Sequence, residues 1–254
     1  MKGVILSINS HTWIVDITHQ IRPQDIRQAS IALQNAYRFF PAGTLHICVV
    51  DPGVGSNRSI VAVQTAHYIF LAPDNGLLWP ILEAEKTYKI VKITNSQYYR
   101  NPVSRTFHGR DIFAPVGAHI ANGIALDDLG PAMDKDALTA MRLPRPVLSA
   151  DNRLCGTITA IDRFGNLSTN LKPVAISKLT GSQKIRPIVQ IGANRIDGLS
   201  PSYNSVARHH PLAIIGSDGF LEIAVNCGNA QQQFGTKIGD TVQVYIGSDR
   251  AEED

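Results

Sequence analysis

The sequence predicts two domains: an α/β N-terminal domain with a mostly parallel central sheet over residues 1–146, and an all-β antiparallel C-terminal domain over 147–254. Three observations carry this. Helical and strand periodicities alternate through the first half, the pattern of an α/β fold. Leu143-Pro144-Arg145-Pro146 then stops the helical pattern, because two prolines remove backbone donors and fix φ. Beyond it, short alternating runs are separated by turn residues, as in a small barrel or sandwich.

The chain is long enough, at 254 residues, for one large or two modest domains, each with its own core. With 44% hydrophobic and 18% charged residues it has the composition of a globular protein and not of a disordered one. The net charge of +3 comes from scattered Lys and Arg, so no nucleic-acid stripe is expected. Cys48, Cys155 and Cys227 are odd in number and far apart, the pattern of reduced thiols in a cytoplasmic protein. No apolar run approaches the roughly 20 residues of a membrane helix, and no signal-peptide pattern opens the chain.

Taken in order, Met1 to Ile8 has apolar residues at helical spacing but no capping residue ahead of them, so this helix reads as starting in its middle. His11 to Thr18 alternates through Trp13, Val15 and Ile17 and predicts a strand. Asp25 to Phe40 places Ile26, Ala29, Leu33, Ala36, Tyr37 and Phe40 on one helical face, opened by Pro23 and Asp25 and closed by Pro41. The apolar run Leu45–Val50 is a strand buried on both faces, and a second strand resumes at Ile60. Tyr68–Ala72 is a strand closed by the turn Pro73-Asp74-Asn75-Gly76, followed by a short helix over Leu77–Ala84 and a strand over Tyr88–Ile93. A helix starts near Arg110 and ends at Gly123. In the second half, Leu154–Ile161 and Leu167–Leu171 are strands, and hairpins are expected at Asn194, at Ser217-Asp218-Gly219 and at Gly239-Asp240.

The corner between the strands at 45–50 and 60–63, DPGVGSNR, draws attention first. Asp51 lies at a strand's carboxyl end, where open α/β sheets place ligands, and Gly53 and Gly55 allow close backbone approach. Arg58 follows seven residues later and can return its guanidinium to Asp51; a plain turn closed by a structural ion pair is the alternative. His108 and Gly109 precede a helix, where free N–H groups favour an anion such as hydroxide or a halide; a histidine that merely caps or packs is the alternative. Phe164, between Asp162 and Asn166, offers a ring and two polar groups to a purine nucleoside, against a hairpin loop with one buried Phe. There is no HExxH, no paired CxxC and no phosphate-loop glycine spacing, and His209-His210 does not set two ligands on one helical face, so neither a catalytic metal nor a cofactor is expected.

Together, VVDPGVGSNR, FLAPDNGLL, TFHGRDIFAPVGAHIANG, DRFGNLSTN and GSDGFLEIAVNCGNA closely resemble, in order and spacing from Met1 to about Ile246, the S-adenosylmethionine (SAM) hydroxide adenosyltransferase family, relatives of the fluorinase and chlorinase enzymes. The resemblance implies conversion of SAM and water to adenosine and methionine by attack at the ribose C5′. It puts the catalytic set on Asp51, Arg58 and His108, the backbone facing the nucleophile on Gly109, and adenosine recognition on Asp162, Phe164, Asn166, Ser217, Glu222, Val225 and Asn226. It also implies a homotrimer with active sites between the N-terminal domain of one subunit and the C-terminal domain of its neighbour. Halogenating relatives carry Tyr where Asp51 stands and Ser where Gly109 stands, which sets this chain with the hydrolases; a catalytically inactive adenosine- or SAM-binding protein is the alternative from another class. Family members carry a first strand and a ribose-binding Asp loop ahead of the position matching Met1, and the expectation is a start site chosen too late.

Overall fold

The computed structural model describes residues 1–141, 144–181 and 186–247. The chain divides into two compact units, Met1–Arg142 and Leu143–Asp254. Leu143, the first residue of the expected boundary, lies outside the described residues.

In the first unit α1 (Lys2–Ile8) forms without a side-chain cap, and its Ile5 packs against Ala114 and Ala118. The stretch expected to be a strand at 11–18 is irregular, with Trp13, Val15 and Ile17 exposed. Alternation specifies a strand only where one face is covered and a neighbouring ladder takes the backbone groups, and neither condition holds here. α2 (Ile26–Ala36) begins at Asp25, whose carboxylate accepts from the Gln28 N–H at 2.8 Å. The strands are β1 (Leu45–Ile47), β2 (Ile60–Thr65), β3 (Ile69–Pro73) and, after α3 (Trp79–Ala84), β4 (Tyr88–Lys92).

These four strands lie in the order β1-β3-β2-β4, and only β1 and β3 run parallel. The sheet is therefore mixed and not mostly parallel as expected. The reason is the length of one connection: β2 and β3 are joined by a turn over 66–68, tied by the Thr65 N–H to the Tyr68 carbonyl at 2.8 Å, and parallel neighbours require a far longer crossover. Both faces of the sheet are covered. Val61, Val63, Phe70, Ala72 and Ile90 pack with Leu33 of α2 and Ile81 of α3, while Ile60, Ala62, Leu71 and Val91 pack with Ile112, Phe113, Val116 and Ile120. Each such fully buried branched or aromatic side chain contributes about 1.5–3 kcal/mol.

The helix expected near Arg110 opens as a π-helical turn, Gly109–Phe113, and continues as α4 (Ala114–Ala121). Gly117 lets α4 approach β1, since a Cβ there would stand 2.4 Å from Ile47 Cδ1.

The second unit is a near-barrel of antiparallel strands: β5 (Val147–Leu148), β6 (Leu154–Ile161), β7 (Leu167–Thr169), β8 (Pro187–Ile191), β9 (Asn194–Asp197), β10 (Pro211–Ile215), β11 (Leu221–Val225) and β12 (Thr241–Ile246), in the order β10-β11-β7-β6-β12-β8-β9 with β5 beside β6. A register shift in β6 between Ile158 and Ala160 lets this strand pair with β12 along its first half and β7 along its second. The unit is not all-β. α5 (Pro173–Thr180) and α6 (Ala230–Phe234) cover the core with Ile176 and Ala230. Both carried start or stop signals: Pro173 in the first turn of α5, and for α6 the Asn229 cap and the left-handed Gly235. Too short to show a helical period of their own, they are held by the sheet they cover.

His46 of β1 is a buried polar group in an aromatic box, stacked on Phe70 at 5.2 Å with Phe40 edge-on at 5.3 Å, and its Nε2 has no hydrogen-bond partner among the described residues. Burial pushes its imidazole from 6.5 down to about 4. Between those values the unfolded chain binds the proton and the folded chain does not, so stability falls as pH drops from about 6.5 toward 4. Replacing His46 by Leu is expected to remove about 3 kcal/mol of that acid dependence, read as the difference between wild-type and H46L unfolding free energies across the interval.

Candidate active site

The corner after β1 is shaped by its backbone before its side chains. The Cys48 N–H makes one more bond, to the Leu71 carbonyl at 2.9 Å, and the Val50 carbonyl accepts from the Asn75 side-chain amide at 2.8 Å, so the chain enters the corner at a fixed angle. Asp51 follows, and its carbonyl accepts from the Val54 N–H at 3.2 Å. Gly55 has φ +79°, and a Cβ on it would lie 2.5 Å from the Arg105 carbonyl oxygen, which packs the corner against the loop leading to His108.

Arg58 then turns back. Its Nε donates to both Asp51 oxygens at 2.9 Å and its Nη2 donates to Oδ2, with both side chains buried at 11% and 5% exposure. The same Nη2 lies 3.0 Å from His108 Nδ1, and the guanidinium carbon sits 5.9 Å from the Phe113 ring centre. The ion pair thus has a third partner 50 residues away in the chain. A guanidinium has only donors, so His108 Nδ1 accepts, and a neutral His108 carries its proton on Nε2. Burial and the Arg58 charge hold the His108 imidazole below its usual value, against the opposing charges of Asp51 and Asp111. At neutral pH the trio is thus a carboxylate, a guanidinium and a neutral imidazole whose N–H is available to an oxygen. Gly109 follows His108 as the first residue of the π turn, and the Met1 thioether packs over it, 3.2 Å from where a Cβ would stand.

In the second unit Asp162 organises its own loop. Oδ1 accepts from the N–H groups of Phe164 and Asn166 at 2.8 and 2.9 Å, and Oδ2 accepts from the Asn166 side-chain amide at 3.0 Å. Phe164 is 59% exposed, with the Arg163 guanidinium 4.7 Å from its ring centre. A hairpin loop folded around a buried Phe is therefore excluded; the ring is presented outward.

Register places Glu222 of β11 opposite Ser168 of β7, just beyond that loop. Burial lifts the Glu222 carboxyl above the usual range, the Asp162 and Asp218 charges add to this, and the Tyr203 hydroxyl, donating at 2.7 Å, opposes it. Tyr203 itself is pushed up to about 12 by burial and by Glu222. Ser217 lies in the β10–β11 turn, where Asp218 accepts from the Phe220 N–H at 3.0 Å.

Val225 and Asn226 do not present free side chains. Val225 packs in the core, the Asn226 amide nitrogen donates to the Val206 carbonyl at 2.8 Å, and the Asn226 backbone is paired with His209 and His210. Tyr203 was not legible in the sequence. It sits in a 3₁₀ turn among serines and prolines, with no periodicity and 19 residues from its partner.

Comparison with known proteins places the chain in a family. Residues 1–130 match the SAM hydroxide adenosyltransferase N-terminal domain and residues 156–243 the C-terminal domain of the same family. The chain is 33% identical over 249 residues to the (R)-S-adenosyl-L-methionine hydrolase of Salinispora tropica, covering 96% of this chain and 91% of that one. It is 28% identical over 273 residues to the fluorinase of Nocardia brasiliensis, covering 97% and 91%. A solved structure of an uncharacterized conserved protein from Thermotoga maritima superposes with a TM-score of 0.88 at 35% identity, covering 96% and 93%. The chain belongs to the SAM hydroxide adenosyltransferase family.

Because the corner depends on the approach of Gly55 to Arg105, Gly55→Ala is expected to cost about 2 kcal/mol or more, from the positive φ and the displaced carbonyl together. The check is the midpoint shift in thermal or urea unfolding, set against Gly43→Ala, where φ is also positive but nothing lies within 4 Å of the added Cβ.

Proposed function

We propose that this chain is an S-adenosyl-L-methionine hydrolase that forms adenosine and L-methionine. The observation that carries the reading is the half-buried relay Asp51–Arg58–His108, in which one guanidinium is gripped by a carboxylate and lends a donor to an imidazole. A water oxygen forms the bond to C5′ while the C5′–S bond breaks, its electron pair passing to the methionine sulfur and the water proton to solvent. Sulfonium is a good leaving group, so the demand on the protein falls on the nucleophile. Free water has a pKa of about 15.7, and what these residues supply is stabilisation of developing hydroxide. Arg58 and the His108 N–H favour negative charge on the oxygen, while Asp51 holds Arg58 and orients the water.

A water is neutral when it arrives, whereas a halide must be bound as an anion beside the Asp51 carboxylate; this favours hydrolysis over halogenation. Exposed Phe164 supplies a face for the adenine ring, with Asp162, Asn166, Ser217, Glu222, Val225 and Asn226 as its further partners. In this reading residues 1–146 form the catalytic domain and 147–254 the adenosine-binding domain. The protein works in the cytoplasm, without metal or cofactor, as the homotrimer that the sequence resemblance implies.

Incubation with SAM in ¹⁸O-water is expected to give methionine and adenosine labelled at the 5′-oxygen, followed by mass spectrometry. Asp51→Asn and His108→Ala should each lower turnover about 100-fold or more. Wild-type turnover in both would overturn the assignment of these residues, and tight adenosine binding with no product from the wild type would leave a binding protein. Sedimentation is expected to give about three times the chain mass of 27.6 kDa.

A further inference from the structure

The hydrolase reading uses His108 but leaves open what fixes it. His108 stands at the head of the π turn, after a stretch from 99 to 107 without regular secondary structure. Three residues on, Asp111 is 1% exposed, among the most deeply buried charged groups of the described chain. Its Oδ2 accepts from the Ser104 N–H at 2.9 Å, on the near side of His108. Arg110 closes a fork on it from the far side, Nε to Oδ1 at 2.7 Å and Nη2 to Oδ2 at 2.9 Å. Its backbone repeats the pattern: the Asp111 carbonyl accepts from the Arg100 N–H at 2.8 Å, and its N–H donates to the Phe107 carbonyl at 3.0 Å. One residue therefore ties the chain before His108 to the chain after it. The π turn adds a residue to the helical repeat, and within it Asp111 bonds the loop while Phe113 lies against Arg58.

We propose that Asp111 is a positioning residue for the hydrolytic reaction: its carboxylate fixes the loop that carries His108 and so the place of the imidazole against Arg58. A carboxylate with a folding role alone would leave the His108 titration unmoved. Arg110, with the Ser104 N–H and the Arg100 charge, holds the Asp111 carboxyl down to about 2, so it is ionised wherever the enzyme works. The charged groups acting on His108 are Arg58, which disfavours the imidazolium, and Asp51 and Asp111, which favour it. Removing the Asp111 charge therefore moves the His108 titration to lower pH.

The proposal rests on the hydrolase reading for its kinetics and is independent of it for the titration. Asp111→Asn is expected to leave KM for SAM within about twofold, lower kcat about 10- to 100-fold, and shift the acid limb of kcat to lower pH. The His108 ring signals in NMR should move to lower pH with it. In a His108→Ala background the same substitution should cost little further. Equal losses in both backgrounds with the His108 titration unmoved would overturn the proposal and leave a structural carboxylate. Should Asp111→Asn not fold, Arg110→Gln opens the fork from its half-exposed side and keeps the carboxylate; kcat is expected to fall, and wild-type kcat there would also overturn the positioning role. If the wild type releases no adenosine from SAM, the hydrolase reading fails by itself, and the NMR titration still decides whether Asp111 acts on His108.

Discussion

The site in the first unit depends on one interaction, the fork between Arg58 and Asp51. Two charges taken out of water cost several kcal/mol each, and only good geometry and further hydrogen bonds offset that cost. Both conditions are met: the Asp51 carboxylate receives Nε and Nη2 together, and the guanidinium has Phe113 near its face and His108 near its edge. The fork fixes the guanidinium plane, and with it the direction of the one donor that His108 receives. That donor fixes the imidazole tautomer, since Nδ1 must accept and Nε2 must carry the hydrogen. A local ion pair thus specifies the hydrogen-bonding character of a group 50 residues away.

This arrangement depends on the fold for its rigidity. Asp51 and Arg58 stand at the two ends of a loop between β1 and β2, strands that are not neighbours: β3 lies between them, parallel to one and antiparallel to the other. The corner must cross over the end of β3, and the turn following β3 helps to hold it, through Asn75 on the Val50 carbonyl. The mixed sheet is therefore part of the construction of the site. A sheet of parallel strands alone would have placed the two ends of the corner at different distances.

What was legible in the sequence was local. Asp25 as a cap, the turn at 73–76 and the Asp162–Phe164–Asn166 loop are each specified by residues within a few positions of one another, and each formed, whereas the run at 45–50, expected as a strand buried on both faces, is a strand only over Leu45–Ile47 and is mostly half-buried. The return of Arg58 to Asp51 was readable for the same reason. The direction of β2 against β3 was misjudged because apolar periodicity says where strands are and not how they pair; the three-residue turn held that information and outweighed the alternation of helices and strands. Trp13, Val15 and Ile17 had the period of a strand without the partner that makes one. Long-range polar pairs, His108 with Arg58 and Tyr203 with Glu222, have no periodicity at all; family resemblance pointed to the first, and nothing in the sequence pointed to the second.

The two constellations differ in electrostatic character, and the difference fits a substrate that loses its charge during the reaction. Asp51, Arg58 and neutral His108 sum to zero, so a cationic substrate is neither trapped there as an ion pair nor repelled. In the proposed reaction an oxygen acquiring negative charge would find a guanidinium and an N–H already oriented, so little reorganisation would be needed at that moment. Around Glu222, by contrast, three carboxyl groups crowd together, and burial with mutual repulsion lifts one of them toward its neutral form. In this chain the charged fork stands among the groups proposed to act on the nucleophile, and the raised carboxyl among those proposed to recognise the product.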